Sequence, residues 1–416
     1  MSLSLQTEKY RESRSAAVRH ACGFCKTYRK RQPEAPGGHE LARVQRRKGA
    51  PFRGGSPFGG IRRILGGKLN MTYDEIMAQI RAGLTGDTEK DCAYLQGQAE
   101  AHKGGEYGKE IVRECGRMMY EMFADATKKR IAAAFQYTHT VEKTIGEATG
   151  DVRRGDLPAA AEKLETEIRK TEKLGLYQND RVSEYYCFSD PIQEVLYAMY
   201  QEPKAELRDV PEPYAALYRV YGSVKALQGL PDEAIAAFLK SLRWNPADAK
   251  TMLACADAYS DKGDMEAFAE YTKKAWRYAY EAKDVARCCR NMGRWFADQG
   301  LWPEAAGYYV LSMQYDEGDS AGAREGLSQV MLCAGPSFAL PTVRETGRYA
   351  KEYGIPLGPD SRVTAILCQN GRLFYEAGSY EMAMYFLEKA YALAPTKEVS
   401  ELLDKIEEES EDGEAP

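Results

Sequence analysis

Four segments in the second half of the chain repeat one spacing of glycine, alanine and aromatic residues, and this repetition constrains the fold more than any other feature. The clearest copy has Gly371, Phe374, Gly378, Ala383 and Ala390, followed by a proline at position 395. Small residues on two successive helices, separated by a turn glycine, let the helices pack closely in antiparallel order. One such pair cannot bury its apolar face alone, so neighbouring pairs stack to form the core.

The other three copies follow the same spacing with some departures. Ala256 falls 34 residues after Gly222, which is one full period of the repeat. In the second copy Phe268 and Thr272 replace the expected small and bulky residues. The residues predicted to pack between the paired helices are Gly222, Ala234, Phe238, Ala256, Tyr259, Gly293, Phe296, Ala305, Tyr309, Gly371, Phe374, Ala383 and Ala390.

Residues 206–405 resemble the tetratricopeptide repeat family in this pattern. The resemblance implies an all-α, right-handed superhelical solenoid of antiparallel helix pairs. It covers four recognisable repeats. Between Asp316 and Ser361 there is chain for one degenerate repeat, with helices expected near Ala321–Leu332 and Thr342–Tyr353.

The flanking regions carry weaker signals. Residues 71–205 predict an irregular helical region. Within it Ala148, Gly155, Ala160 and Leu164 match repeat positions and suggest a diverged repeat. Residues 184–200 predict one aromatic-rich helix, and the three prolines between 203 and 213 predict a joint. Residues 406–416 form an acidic run, which we expect to be a disordered tail.

Charge divides the sequence at about residue 70. Residues 1–70 hold 16 Lys or Arg against 4 Asp or Glu, a net charge of +12, and the remainder has a net charge of −17. The basic segment is rich in glycine and proline, so we expect it to be disordered. One functional interpretation is an arm that binds RNA or a membrane surface, because clustered arginines neutralise phosphate.

A second interpretation is that residues 1–70 precede the natural start of the protein. The codons for Gly66 and Gly67 can contain a bacterial ribosome-binding sequence, and Met71 follows at a suitable distance. Met71 then opens an ordinary acidic helical sequence. In that case the nucleic-acid arm does not exist.

The sequence gives little support to catalysis or to a cofactor. His102 and His139 have no cysteine or acidic residue at metal-ligand spacing. The Cys22–Cys25 pair, which lies near His20, lacks the second pair of a zinc site. We therefore expect no metal, no cofactor and no enzymatic activity.

A basic stripe is the one candidate binding surface. In tetratricopeptide arrays the first helix of each pair lines the concave face, and the third repeat places three arginines there at i, i+3 and i+7. We expect the stripe to bind carboxylates of a protein or peptide. Its predicted members are Arg219, Lys250, Arg287, Arg290, Asn291, Arg294 and Arg372. The competing interpretation is that these arginines pair with Asp257, Asp261 and Asp298 and only stabilise the surface.

These patterns predict a non-catalytic protein- or peptide-binding scaffold or adaptor. The alternatives are a bacterial peptide-sensing regulator of the same repeat type and a nucleic-acid-associated protein that uses the basic arm. The ten cysteines are scattered and mostly at helix-core positions, which favours a reducing cytoplasm. No run approaches the ~18 apolar residues of a membrane span, so we expect no membrane association.

Overall fold

The computed structural model describes residues 71–123, 128, 140–316, 318 and 320–413. The predictions for the basic segment 1–70, including its disorder and its use as an arm, lie outside these residues. The described residues form two compact units, one made of residues 71–123 and 128 and the other of residues 140–316, 318 and 320–413. Each unit is described by itself.

The smaller unit contains three described helices, α1 (Tyr73–Ala82), α2 (Thr88–His102) and α3 (Gly108–Met122). Thr72 and Glu75 form a capping box that fixes the start of α1. Buried apolar side chains from all three helices, such as Met77, Leu95 and Ile111, form its core. This small apolar cluster holds the three helices together.

The larger unit is built from fourteen described helices and two short strands. Its elements, in sequence order, are α4 (Thr140–Arg153), α5 (Leu157–Leu174), β1 (Ser183–Tyr186), α6 (Pro191–Gln201), β2 (Glu206–Asp209), α7 (Tyr214–Leu227), α8 (Pro231–Trp244), α9 (Ala249–Lys262), α10 (Met265–Tyr278), α11 (Ala282–Asp298), α12 (Trp302–Ser312), α13 (Ala321–Ala334), α14 (Val343–Tyr353), α15 (Ser361–Glu376), α16 (Tyr380–Leu393) and α17 (Lys397–Gly413). Helices α4 to α12, apart from α6, pack as successive pairs, and so do α15 and α16. The prediction of sequential helix pairs is confirmed.

A close approach between a glycine and a bulky residue sixteen positions later holds three of these pairs together. A Cβ atom built on Gly222 would lie 2.7 Å from the ring of Phe238. On Gly371 it would lie 2.5 Å from Leu387 Cγ, and on Gly293 it would lie 3.1 Å from the ring of Tyr309. The glycine is therefore needed for helix contact, because each larger side chain already fills the space that a methyl group would take.

Two other pairs use the same positions with different sizes. In α9–α10 the first position is Ala256 and the residue sixteen later is Thr272, and both are fully buried. Compared with the glycine of the other pairs, Ala256 adds a methyl group. Thr272 is smaller than the bulky residues at the partner position and so leaves room for it. In α4–α5 Ala148 and Leu164 are also fully buried, and Gly155 turns the backbone between them at φ +81°. Helices α4 and α5 are therefore a packed pair with the same spacing of small and bulky residues.

Residues 183–209 differ from the expected helix and joint. Strand β1 occupies the start of the predicted helix, α6 occupies its end, and β2 lies in the predicted joint. The strands pair in parallel, with Ser183 opposite Glu206 and Tyr186 opposite Asp209. We call this β1–α6–β2 segment the strap. Its helix is buried on nearly every side, which an apolar helix requires.

Both helices expected between Asp316 and Ser361 are present, and both pack against α12. Gly326 of α13 lies against the ring of Tyr309, and a Cβ atom on Gly307 would lie 2.7 Å from Thr346 Oγ1 of α14. Helix α13 also contacts α11. Close approach at glycine therefore continues to position this region even where the repeat signature is lost.

The C-terminal helices also differ from the prediction in one respect. Helix α17 continues to Gly413 and buries Ile406, so residues 406–413 are helical where a disordered tail was expected. Helix α16 packs against both α15 and α17, and it contacts α11 as well. Among the residues that the structure describes, no helix has the length and apolar character needed to cross a membrane.

Candidate peptide-binding surface

The first helices of successive pairs lie side by side. Helix α7 contacts α9, α9 contacts α11, and α11 contacts α13. We call the surface made by these four helices the inner face. Most residues of the predicted basic stripe come from these helices.

Two arginines of the stripe are held by carboxylates from neighbouring segments. Arg287 pairs with Asp257 of α9. Arg290 pairs with Asp316, which follows α12, and it donates to Ser312 Oγ at 3.4 Å. The Arg287 contact joins one helix pair to the next, and the Arg290 contacts join the two helices of one pair. The competing interpretation of the stripe, that its arginines pair within the protein, therefore describes Arg287 and Arg290 well, although the partner of Arg290 is Asp316.

Other basic residues of the stripe also have nearby partners. Lys250 Nζ lies 3.0 Å from Glu281 Oε1, and Arg372 lies 2.6 Å from Glu398. Arg219 is half-buried and lines a small cavity of about 220 Å³ at the strap. The structure therefore distributes these cations among local ion pairs and a separate cavity.

Asn291 and Arg294, neighbours on α11, have opposite environments. Asn291 is buried, and its Nδ2 donates to Thr272 Oγ1 at 3.2 Å, so it packs between helices. Arg294 is exposed, and its guanidinium lies 5.6 Å from the centre of the Phe268 ring. The sequence predicted that Asn291 would hold a peptide backbone, but its side-chain amide is already engaged.

A groove of about 600 Å³ opens beside Arg294, between α11, α12 and α13. We call it the Arg294 groove. Its lining combines the guanidinium with two carboxylates, an amide and two aromatic rings. The residues that supply these groups are Arg294, Asp298, Trp302, Tyr309, Glu325 and Gln329. Gly322 and Gly326 form part of its wall on α13, and side chains there would narrow it.

Two aspartates on the inner helices, Asp284 of α11 and Asp257 of α9, have raised pKa values. Burial raises the pKa of Asp284 to about 6, with Glu281 and Asp248 adding to the rise and Lys250 and Lys283 opposing it. Burial also raises the pKa of Asp257, and the Arg287 guanidinium lowers it in part. Both carboxylates are therefore harder to ionise than an exposed aspartate.

Of the groove residues, the sequence named Arg294 as a binding residue, Asp298 as a possible ion-pair partner and Tyr309 as a packing residue. It gave no such role to Trp302, Glu325 or Gln329. Trp302 and Gln329 lie on helices whose relative placement depends on the Tyr309–Gly326 contact. Gln329 lies in the segment between Asp316 and Ser361, where too little of the repeat signature remains to assign repeat positions. The only sequence signal was the aromatic and polar composition of these helices, which is common on any helix surface.

A second groove of about 560 Å³ lies between α5, α7 and α8. Its aromatic residues Tyr214, Tyr218 and Trp244 are each at most 8% exposed. Its ion pair, between Glu172 and Lys240, is supported by the Tyr218 hydroxyl, which donates to Glu172 at 3.1 Å. The polar groups of this groove are thus largely engaged with one another.

The cysteines of the inner helices do not supply a reactive thiolate. Burial raises the pKa of Cys255 to about 12 and raises the pKa of Cys288 and Cys289 well above the usual value. Among the described residues, no three His, Cys, Asp or Glu side chains are grouped so as to hold a metal ion.

Comparison with known proteins yields structural neighbours only, since no family model and no curated protein matches the sequence. A tetratricopeptide repeat protein from Parabacteroides merdae ATCC 43184 is 12% identical, with a TM-score of 0.33 over 80% of this protein and 98% of that one. Cut9, from the APC/C hetero-tetramer Cut9–Hcn1, is 9% identical with a TM-score of 0.33; the match covers 80% of this protein and 56% of that one. A putative protein binding protein from Bacteroides ovatus ATCC 8483 is 15% identical, with a TM-score of 0.21 over 66% and 99% of the two proteins.

The helix pairs themselves provide a firmer basis for comparison. Five pairs place a small residue on the first helix, a glycine with positive φ seven residues later and a packing partner sixteen residues later. The fold is tetratricopeptide-like. In the tetratricopeptide-like pairs the repeat positions form the scaffold, and the Arg294 groove lies on the surface between them.

Proposed function

We propose that this protein is a non-catalytic scaffold that binds a protein or peptide partner on the inner face, with the Arg294 groove as the main contact. The observation that supports this most is the exposed guanidinium of Arg294 at a groove of about 600 Å³ that also offers aromatic, amide and carboxylate groups. Pockets with mixed apolar lining and a few placed polar groups are typical of recognition sites.

The lining indicates which peptide chemistry fits. Arg294 suits a carboxylate, supplied either by an acidic residue or by the carboxyl terminus of a peptide, because guanidinium donates two parallel hydrogen bonds. Gln329 can both donate to and accept from a peptide backbone. Trp302 offers a partly exposed ring for an apolar side chain.

The carboxylates of the groove narrow this choice further. Asp298 and Glu325 are both exposed in the same lining. A uniformly acidic peptide would be repelled by them, whereas a peptide with an acidic residue next to a basic one would satisfy both signs. We therefore propose a partner segment of mixed charge, which refines the acidic peptide expected from the sequence.

The test is selection of peptides from a random twelve-residue library on the whole protein, followed by fluorescence anisotropy with the best binder. Arg294→Ala should weaken binding by about 10- to 100-fold, the value of a charge-assisted hydrogen bond lost from a binding site. Arg372→Ala is the matched control, because Arg372 belongs to the same predicted stripe but lies outside the groove.

The peptide affinity of the Arg372→Ala control should stay within about twofold of the wild-type value, because this variant loses only a partly exposed ion pair. Equal affinity of wild type and Arg294→Ala would rule out the Arg294 groove as the binding site. A loss as large in Arg372→Ala as in Arg294→Ala would instead indicate diffuse charge attraction.

A further inference from the structure

The strap has an unusual set of contacts, because it reaches segments that lie far away in the sequence. Its helix α6 is apolar along nearly its whole length and buries Ile192, Val195 and Leu196 almost completely. These residues belong to the same apolar cluster as the cores of the α9–α12 pairs and of α15–α17. The strap therefore lies between parts of the array that the repeat pattern does not bring together.

The N-terminal end of α6 is held through Asp190. This carboxylate caps the helix by accepting from Ile192 N at 2.8 Å. It also accepts from the hydroxyl of Tyr385, a residue of α16 that lies 195 positions away. Burial raises the pKa of Tyr280, between α10 and α11, and the Asp190 carboxylate adds to the rise. One acidic side chain thus joins the strap, the α10–α11 junction and the C-terminal helices.

The C-terminal end of α6 is held through Tyr200. Its hydroxyl donates to Asp360 Oδ2 at 2.8 Å, and Asp360 caps α15. Its ring lies near two guanidinium groups, at 4.2 Å from that of Arg277 and 4.8 Å from that of Arg362. Cations close to a tyrosine ring add to the hydrogen bond. This end of the strap therefore joins the end of α10 to the start of α15.

Direct contacts also join α10–α12 to the C-terminal region, and most of them lie at the linker that precedes α15. Trp276 Nε1 donates to the carbonyl of Gly358 at 2.8 Å, and Tyr308 donates to the carbonyl of Pro356 at 3.2 Å. Lys389 of α16 lies 4.0 Å from Glu281. The linker 354–360 contains two glycines and two prolines. The linker is thus anchored to α10 and α12. The helices that follow it are hydrogen-bonded to the strap through Asp360 and Tyr385.

We propose that the strap is a latch that holds helices α15–α17 against the α10–α11 junction, and that its release frees these helices as a unit. The pairs α7–α8, α9–α10 and α11–α12 would keep their packing, because their close contacts do not involve the strap. Release would expose apolar surface on α6 and α16 that is buried in the latched form. The latch is thus a conformational device built into the fold and independent of the Arg294 groove.

The experiment is native-state hydrogen exchange, read by mass spectrometry, on the full-length protein and on the double variant Tyr200→Phe/Tyr385→Phe. The variant removes one hydroxyl at each end of α6 and keeps both rings, so apolar packing is preserved. Exchange of amides in residues 361–393 should rise about tenfold or more, because two hydrogen bonds to carboxylates are lost. Exchange in α7–α9 should stay at the wild-type rate.

Tyr375→Phe is the matched control. Its hydroxyl donates to Glu409 at 3.0 Å, a contact that joins α15 to α17 without the strap. The latch predicts that this variant leaves exchange in α16 near the wild-type rate. Unchanged exchange in the double variant, an equal rise along α7–α16, or an equal effect of Tyr375→Phe would each overturn the proposal.

Discussion

At the scale of single residues, the helix pairs depend on matched sizes at two positions sixteen residues apart. Gly222 faces Phe238, whereas Ala256 is paired by position with Thr272. The spacing alone identified the glycines. It also marked Thr272 as a departure from the repeat pattern. Only the packing of the two helices showed that the smaller Thr272 side chain makes room for the methyl group of Ala256. The sequence named Asp257 as a possible partner of the arginines, and Arg287 pairs with it. It did not give this role to Asp316, the partner of Arg290, which lies beyond the end of α12.

Gly222→Ala tests this packing. Alanine gains about 1 kcal/mol of helix propensity, but its methyl group would lie 2.7 Å from Phe238. Overpacking of this kind costs about 1–3 kcal/mol. We therefore expect a net loss of stability in urea unfolding. Gly146→Ala is the control, since a Cβ atom there meets nothing within 4 Å, and it should stabilise the protein.

The size match gives a second readout in the same series. In a Phe238→Thr background, Gly222→Ala reproduces the Ala256–Thr272 combination and should cost clearly less than it does alone. A double-mutant cycle measures this coupling. Strict additivity would mean that the two positions do not contact each other.

Asp284 predicts how stability depends on pH. Its pKa is about 6 in the folded protein, against about 4 for an unfolded aspartate. Between these values the folded state holds a proton that the unfolded state releases, so stability falls as pH rises through this window. Asp284→Asn cannot ionise. The variant should therefore be more stable than the wild type by on the order of 1–3 kcal/mol at pH 7.5 and only slightly more stable at pH 4.

Urea unfolding of both proteins at the two pH values measures this difference. Asp298→Asn is the control, because Asp298 is an exposed carboxylate at the end of the same helix. It should change stability little at either pH. A gain for Asp284→Asn that is equal at pH 4 and pH 7.5 would show that the burial of Asp284 does not disfavour its charged form.

At the scale of elements, helix pairs were predictable and the strap was not. A helix pair is encoded locally, by a small residue, a turn glycine and a partner within twenty residues. Strand β1 has four residues, and its pairing partner β2 begins about twenty residues later, beyond an intervening helix. Residues 184–200 are rich in aromatic and aliphatic side chains that suit a helix or a strand equally. Only the long-range pairing decides between them.

Helix α14 provides a prediction at this scale. It buries little, since Thr346 and Ala350 are its buried residues, so its start depends on the capping box of Thr342 and Glu345. Thr342→Ala should cost about 1 kcal/mol and should raise hydrogen exchange within 343–353. Ser337→Ala, at an exposed loop position, is the control. Equal exchange in the two variants would show that packing on α12 alone fixes this helix.

At the scale of the whole molecule, the arrangement within the larger unit rests on contacts that no local pattern encodes. The hydrogen bonds of Tyr200 and Tyr385 span 160 and 195 residues. They bring the C-terminal helices to the strap and to the α10–α11 junction. The repeat signature predicted the solenoid of helix pairs, and its right-handed superhelical sense stays a prediction. The groove at Arg294 depends on this higher level as well, because α13 lies in the degenerate repeat.

The proposed function places a partner peptide at the Arg294 groove. The most direct measurement is a hydrogen-exchange footprint of the whole protein with and without the selected peptide at saturation. Binding at this groove should slow exchange within α11, α12 and α13. Exchange within α5, α7 and α8, where the second groove lies, should be unchanged. Protection confined to the second groove or to residues 71–123, with none in α11–α13, would contradict the proposed function.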